Sequence, residues 1–290
     1  MKRVFLLPII IFTTALILGS CEPQAPEWTN VEFSSLFSVS RDQMIDFAIY
    51  TPPDYESGDQ HYPVLYVLHG TGSDYLMYWA QISESIPEAN GDAGAWLNQL
   101  IASDMIPPMI IVTPDETDGS WGETNETMVT QELVAHVDTN WRTIPNRSGR
   151  AIEGFSMGAM GASSYAARNS DLYCSTIIMS MPRREPLIGF WQENREKILA
   201  DQLRTRLIVG EEDNRYDYIV QFHNDLLAIE IPHEFETYPN IVHYFGALYN
   251  QSGIEGLQFH ANCFKNANSS THPENVYYQS DIQLKVRSNQ

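Results

Sequence analysis

Basic residues are scarce in this 290-residue chain: 17 Lys and Arg stand against 37 Asp and Glu, a formal charge of −20 at pH 7. So acidic a surface disfavours nucleic acid and anionic lipid headgroups, and it suits a neutral ligand better than a polyanion. Cysteine is scarcer still, with Cys21, Cys174 and Cys263 as the only copies. Their spacing fits no metal-ligand pattern, so no metal is expected. Cys174 lies in the strand-like run Tyr173–Ile178, and it reads with Cys263 as a pair of inert core thiols, a disulfide being the alternative. Internal repeats and long linkers are lacking. A long apolar run occurs once, from Val4 to Leu18, broken by Pro8 and Thr13-Thr14. It falls short of the roughly 20 apolar residues that a membrane span needs.

That run has another reading. Lys2 and Arg3 precede it and the small residues Gly19 and Ser20 follow, the pattern of a signal peptide over residues 1–20. Leu18-Gly19-Ser20-Cys21 resembles a bacterial lipobox. The resemblance implies cleavage before Cys21, lipidation of Cys21 and a place in the bacterial cell envelope, periplasmic or at the surface. A signal cut elsewhere, leaving Cys21 free, is the alternative. Membrane contact is then expected only through the lipid anchor, with residues 21–30 as a polar tether. Residues 31–264 form the expected catalytic domain, and residues 265–290 a polar tail.

What is plentiful is apolar, at 43% of the residues with 11% aromatic, enough for a sizeable core. Strands are predicted at Val31–Val39, Met44–Tyr50, Val64–Leu68, Met109–Thr113, Ala151–Gly154, Thr176–Ser180, Arg206–Gly210 and Glu234–Tyr238. Several are unbroken apolar runs, as in strands covered on both faces. Helices are predicted at Ala93–Ser103, Thr127–Trp141, Met157–Arg168, Trp191–Gln202, Asp217–Ile229 and Val242–His260. Strands alternating with helices define an α/β fold around a mostly parallel sheet, entered by an antiparallel pair.

One motif carries chemistry. Gly154-Phe155-Ser156-Met157-Gly158 lies where a strand turns into a helix, the setting of a nucleophile elbow. The turn lifts the Ser156 hydroxyl above the sheet, and the helix N-terminus favours developing negative charge there. A serine needs a base, and the base needs an orienting carboxylate. Five histidines follow Ser156: His223, His233, His243, His260 and His272. His243 stands alone just past the last strand, in a loop at the carboxyl end of the sheet. Strand Leu207–Gly210 runs into Glu211-Glu212-Asp213, so Asp213 is the first candidate acid, with Glu212 and Asp217 as rivals. Upstream, a strand ends in His69-Gly70-Thr71-Gly72, a loop suited to supply an oxyanion-hole N–H from Thr71 beside that of Met157. His69 reads as structural. Tyr75, Tyr78, Trp79 and Trp121 suit either stacking on a sugar or phenolic ring or packing of lid and core.

These blocks, with Ile111–Asp115, Gly119-Ser120-Trp121 and Arg150–Gly158, resemble the esterase D/putative esterase family of α/β-hydrolases. That family includes feruloyl esterases, acetylxylan esterases and S-formylglutathione hydrolases. The resemblance implies an α/β-hydrolase fold, a Ser156–Asp213–His243 triad and no cofactor. It also implies a cleft lined by Trp121; Tyr75 and Trp79, from their place near the predicted mouth, are further candidate substrate contacts. Two departures stand out: Ala159 where the family carries a second Gly, and Asn240-Ile241-Val242-His243 where it carries Gly-Gly-His. The expected function is hydrolysis of carboxylic esters, of acetyl or feruloyl groups on extracellular carbohydrate. Alternatives are an acyltransferase, a siderophore or lipid esterase, and a non-catalytic envelope glycan-binding protein.

Overall fold

A computed structural model describes residues 27–116, 119–182 and 187–265. Among them, eight strands form one sheet: β1 (Val31–Ser38), β2 (Gln43–Tyr50), β3 (Val64–Leu68), β4 (Ile110–Pro114), β5 (Arg150–Phe155), β6 (Ser175–Met179), β7 (Arg204–Gly210) and β8 (Glu234–Tyr238). Their order across the sheet is β1-β2-β4-β3-β5-β6-β7-β8. β2 runs antiparallel to both β1 and β4, and every pairing from β4 to β8 is parallel. Each strand lies within two residues of its predicted bounds.

The helices are α1 (Met77–Ser85), α2 (Ala93–Ala102), α3 (Glu123–Thr127), α4 (Val134–Asn140), α5 (Met157–Arg168), α6 (Leu187–Glu193), α7 (Arg195–Asp201), α8 (Tyr216–Ala228) and α9 (Phe245–Lys265). Burial of alternate strand residues explains the layering. On β3, Val64, Tyr66 and Leu68 pack with residues of α4, α5 and α8, while Leu65 and Val67 pack with α1, α2 and α9. Both faces of the sheet are thus covered. This is why the central strands lack polar alternation.

Several expectations need correction. Helix α1 was not predicted. Its apolar residues Met77, Tyr78, Trp79 and Ile82 are buried, but the element is short and follows a polar turn. The predicted helix Thr127–Trp141 is a longer helical path from Glu123 to Asn140, with a π-helical stretch at Met128–Leu133. The predicted Trp191–Gln202 helix is two, α6 and α7, broken at Asn194. The last helix starts at Phe245 rather than Val242 and continues through His260 to Lys265. Cys174 and Cys263 are joined as a disulfide rather than standing as separate thiols, which ties the residue before β6 to the end of α9. Cys21, the leader, the tether up to Pro26 and most of the tail lie outside the described residues.

Register brings the carboxyl ends of the strands to one edge. Leu68 stands beside Gly154, Phe155 beside Met179, and Gly210 beside Tyr238. The segments that leave these ends hold His69-Gly70, Ser156, Asp213 and His243.

Candidate active site

Ser156 occupies a single-residue turn between β5 and α5, at φ 55° and ψ −116°. A side-chain-bearing residue seldom adopts this conformation, and its strain must be held by the surroundings. Ser156 N–H donates to the Met179 carbonyl at 2.9 Å, so the neighbouring strand fixes the turn. The flanking glycines permit it sterically. A Cβ on Gly154 would run into the Gly158 carbonyl, and one on Gly158 into the Leu68 carbonyl. Strand and helix can therefore approach this closely only with glycine at both positions. Ala159 is fully buried, and its methyl is accommodated in the core.

His243 completes the geometry. Its Nε2 lies 3.0 Å from Ser156 Oγ, and its Nδ1 lies 2.9 Å from each carboxylate oxygen of Asp213. An ionised carboxylate only accepts, so Nδ1 carries the proton and Nε2 is left to accept the serine hydroxyl. Asp213 sits in the loop between β7 and α8, and its side chain is almost fully buried. Burial alone would raise its pKa. Hydrogen bonds from His243 and from Arg215 N–H, with the influence of the His243 ring, outweigh that and hold the carboxyl below its ordinary range. The Arg215 bond is 2.7 Å long. Backbone bonds lock the two loops together: Glu211 N–H donates to Tyr238 at 2.8 Å, and Glu212 N–H to Ile241 at 3.1 Å.

The rival candidates are placed elsewhere. Glu212 and Asp217 are exposed. His223 and His233 bond each other at 2.7 Å between α8 and the start of β8. His260 is buried within α9, 2.8 Å from Ser175 Oγ and 3.2 Å from a carboxylate oxygen of Glu153. His272 lies outside the described residues.

The loop after β3 approaches the serine from the other side. A Cβ on Gly70 would stand 3.4 Å from Ser156 Cβ, so the backbone leading to Thr71 passes directly beside the nucleophile. His69 braces this loop: its Nδ1 bonds the Gly70 carbonyl at 2.9 Å, and its Nε2 is 3.2 Å from Asp115. It is structural, as read from its position. Met157 opens α5, where helix geometry leaves the first N–H groups without intrahelical acceptors.

The aromatic residues separate into different roles. Trp79 is fully buried, and its indole N–H donates to Thr113 Oγ at 2.9 Å. It belongs to the core, which corrects its reading as a substrate contact. Tyr78 is likewise core, bonded to Tyr249 at 2.9 Å. Trp121 is nearly buried; its N–H donates to the His69 carbonyl at 2.9 Å, so it supports the loop from beneath. Tyr75 is half-buried, with its ring edge-on to Phe33. Val242 and Tyr244, on either side of His243, are 52% and 37% exposed, and sequence reading did not single them out as a rim.

Comparison with known proteins agrees with this architecture. A family model described as "Putative esterase" matches residues 38–224, and the chain belongs to that family. The matched span holds Ser156 and Asp213 and ends before His243. An esterase of Mycobacterium tuberculosis is 32% identical over 141 residues, covering 45% of this chain and 28% of the relative. An endo-1,4-beta-xylanase/feruloyl esterase of Xylanibacter ruminicola is 30% identical over 157 residues, covering 50% of this chain and 20% of the relative. The chain thus spans less than a third of the length of these relatives. Among solved structures, a ferulic acid esterase superposes with a TM-score of 0.71 at 24% identity, over 81% of this chain and 98% of that one. An S-formylglutathione hydrolase of Staphylococcus aureus gives 0.61 at 16% identity, over 80% and 98%. The fold is that of the α/β-hydrolases.

Proposed function

We propose that this chain is an exported serine esterase that works through an acyl-enzyme on Ser156. The observation that carries the reading is the unbroken relay Asp213–His243–Ser156, at 2.9 and 3.0 Å. Ser156 Oγ attacks the ester carbonyl carbon while its proton passes to His243 Nε2. The resulting oxyanion is held by the N–H groups of Met157 and Thr71. On collapse the C–O bond to the alcohol breaks, and His243 returns the proton to the leaving oxygen. A water molecule then attacks the acyl group and gives its proton to His243, which returns it to Ser156 Oγ as the acyl C–O bond breaks, releasing the acid and free Ser156. Asp213 orients His243 throughout and stabilises its protonated form.

Acetyl or feruloyl groups on extracellular carbohydrate are the proposed substrates, with Tyr75 as a contact. Support comes from the leader-like N-terminus and from a relative whose name joins xylanase and feruloyl esterase. Acetylated and feruloylated xylan, assayed beside short p-nitrophenyl esters, test this. Release of acid from a polymer is expected, and activity on short esters alone would refute the carbohydrate substrate. The lipobox-like string supports attachment to the bacterial envelope through Cys21. Replacing Cys21 by Ala should then move the protein from membrane to soluble fraction, and an unchanged distribution would count against the anchor.

A further inference from the structure

The two hydrogen bonds of His243 run to Asp213 from one end of the imidazole and to Ser156 from the other. Together they define an axis through the ring. Neither bond sets the plane of the ring about that axis, so the ring faces are free to swing unless something packs against them. Something must bear on the face of the ring. Phe155, the second residue of the elbow motif, does so: its ring is stacked on His243, with centroids 4.7 Å apart and planes at 27°.

Phe155 is itself held on several sides. It ends β5, and its ring meets Phe245, the first residue of α9, edge-on at 5.7 Å. Its Cδ1 lies 3.4 Å from where a Cβ on Gly70 would stand. One buried ring therefore touches the base, the helix that follows the base and the loop leading to Thr71, from a position next to the nucleophile. The His243 side chain as a whole is 24% exposed.

We infer that Phe155 is a positioning residue for the proposed reaction, fixing the tilt of His243 and stabilising its protonated form through the ring face. Charge on the imidazole appears only when Ser156 or water gives up its proton. The negative face of the phenyl quadrupole then lies under a cation, an attraction absent from the resting state. An interaction stronger in the transition state than in the ground state appears in kcat rather than KM. The inference rests on the serine-esterase reading above.

The test compares Phe155→Leu, which keeps an apolar side chain but loses the ring, with Phe155→Tyr, which keeps the ring. On a short p-nitrophenyl ester, Phe155→Leu is expected to lower kcat about ten-fold with KM within about two-fold. Phe155→Tyr should recover most of the loss. Turnover by Phe155→Leu within about two-fold of wild type would overturn the inference, as would equal impairment of both variants, which marks packing alone. Should the leucine variant fail to fold, a crystal structure of the wild-type fluorophosphonate adduct decides. His243 stacked on Phe155 supports the role, and a ring turned away from it refutes it. Wild-type protein that neither hydrolyses the ester nor reacts at Ser156 would instead refute the serine-esterase reading.

Discussion

His243 Nε2 meets Ser156 Oγ at 3.0 Å across 87 residues of sequence, and Asp213 holds the far side of the same ring. Removing the base should leave only the contributions of binding and the oxyanion site. His243→Ala is expected to lower kcat by about 10⁴-fold or more, with melting temperature little changed. Steady-state kinetics on a soluble ester measure it.

In the proposed reaction Asp213 acts through His243, so its amide analogue separates geometry from charge. Asp213→Asn retains the shape but can donate to Nδ1, which favours the wrong tautomer. A fall in kcat of about 10⁴-fold is expected. Because the native carboxyl is held below its ordinary range, it stays ionised as pH falls toward the usual carboxylate range. The stability it contributes is present above the unfolded pKa and is lost only as pH drops through the lower folded value. Asp213→Asn should therefore flatten the acid limb of a denaturation profile.

The role proposed for Thr71 belongs to its backbone N–H, and only proline removes that donor. Thr71→Pro is expected to lower kcat by about 10²–10³-fold if its N–H binds the oxyanion. Substitution by Ser or Val, which retains the N–H, should change little. Similar losses in all three would show that the side chain or the turn matters instead.

The pair His223–His233 predicts a second pH effect, away from the site. Burial lowers the pKa of both, and for His223 the charge of His233 adds to this. His233 Nδ1 bonds the Ile231 carbonyl at 2.8 Å, so its Nε2 accepts from His223. A second proton would set two donors against each other. The unfolded chain takes up protons first, near its ordinary pKa of about 6.5, so stability falls as pH drops below that value toward the folded pKa. Urea midpoints at successive pH values should show this loss, and His223→Phe should reduce it.

The disulfide Cys174–Cys263 closes 89 residues of chain. Its reduction should lower stability by about 2–4 kcal/mol, chiefly by releasing the unfolded ensemble. Denaturant melts with and without reductant measure the change.

The candidate triad lay within reach of the sequence because each of its groups follows a recognisable strand, among them the apolar β7 and the more polar edge strand β8. Leu207–Gly210 pointed to Asp213, and Glu234–Tyr238 pointed to His243. What escaped depends on faces rather than order. Trp79 and Trp121 lie near the site in sequence, yet side-chain direction turns one into the core and the other under the loop after β3. No periodicity signals that Phe155 will meet a ring 88 positions further on, since strand alternation fixes its side but not its partner. Helix α1 was hidden for a local reason: nine residues with a buried Met-Tyr-Trp run carry too few turns to show a period. Cys174 and Cys263 were visible, but their pairing depends on how far α9 extends.

The central claim is that Ser156 is the nucleophile, and labelling with a fluorophosphonate probe tests it most directly. Mass spectrometry of the treated wild-type protein should locate one adduct, on Ser156, with activity lost in parallel. The adduct should be absent in Ser156→Ala and form far more slowly in His243→Ala. Ester hydrolysis that persists with Ser156 unlabelled, or in Ser156→Ala, would contradict the account.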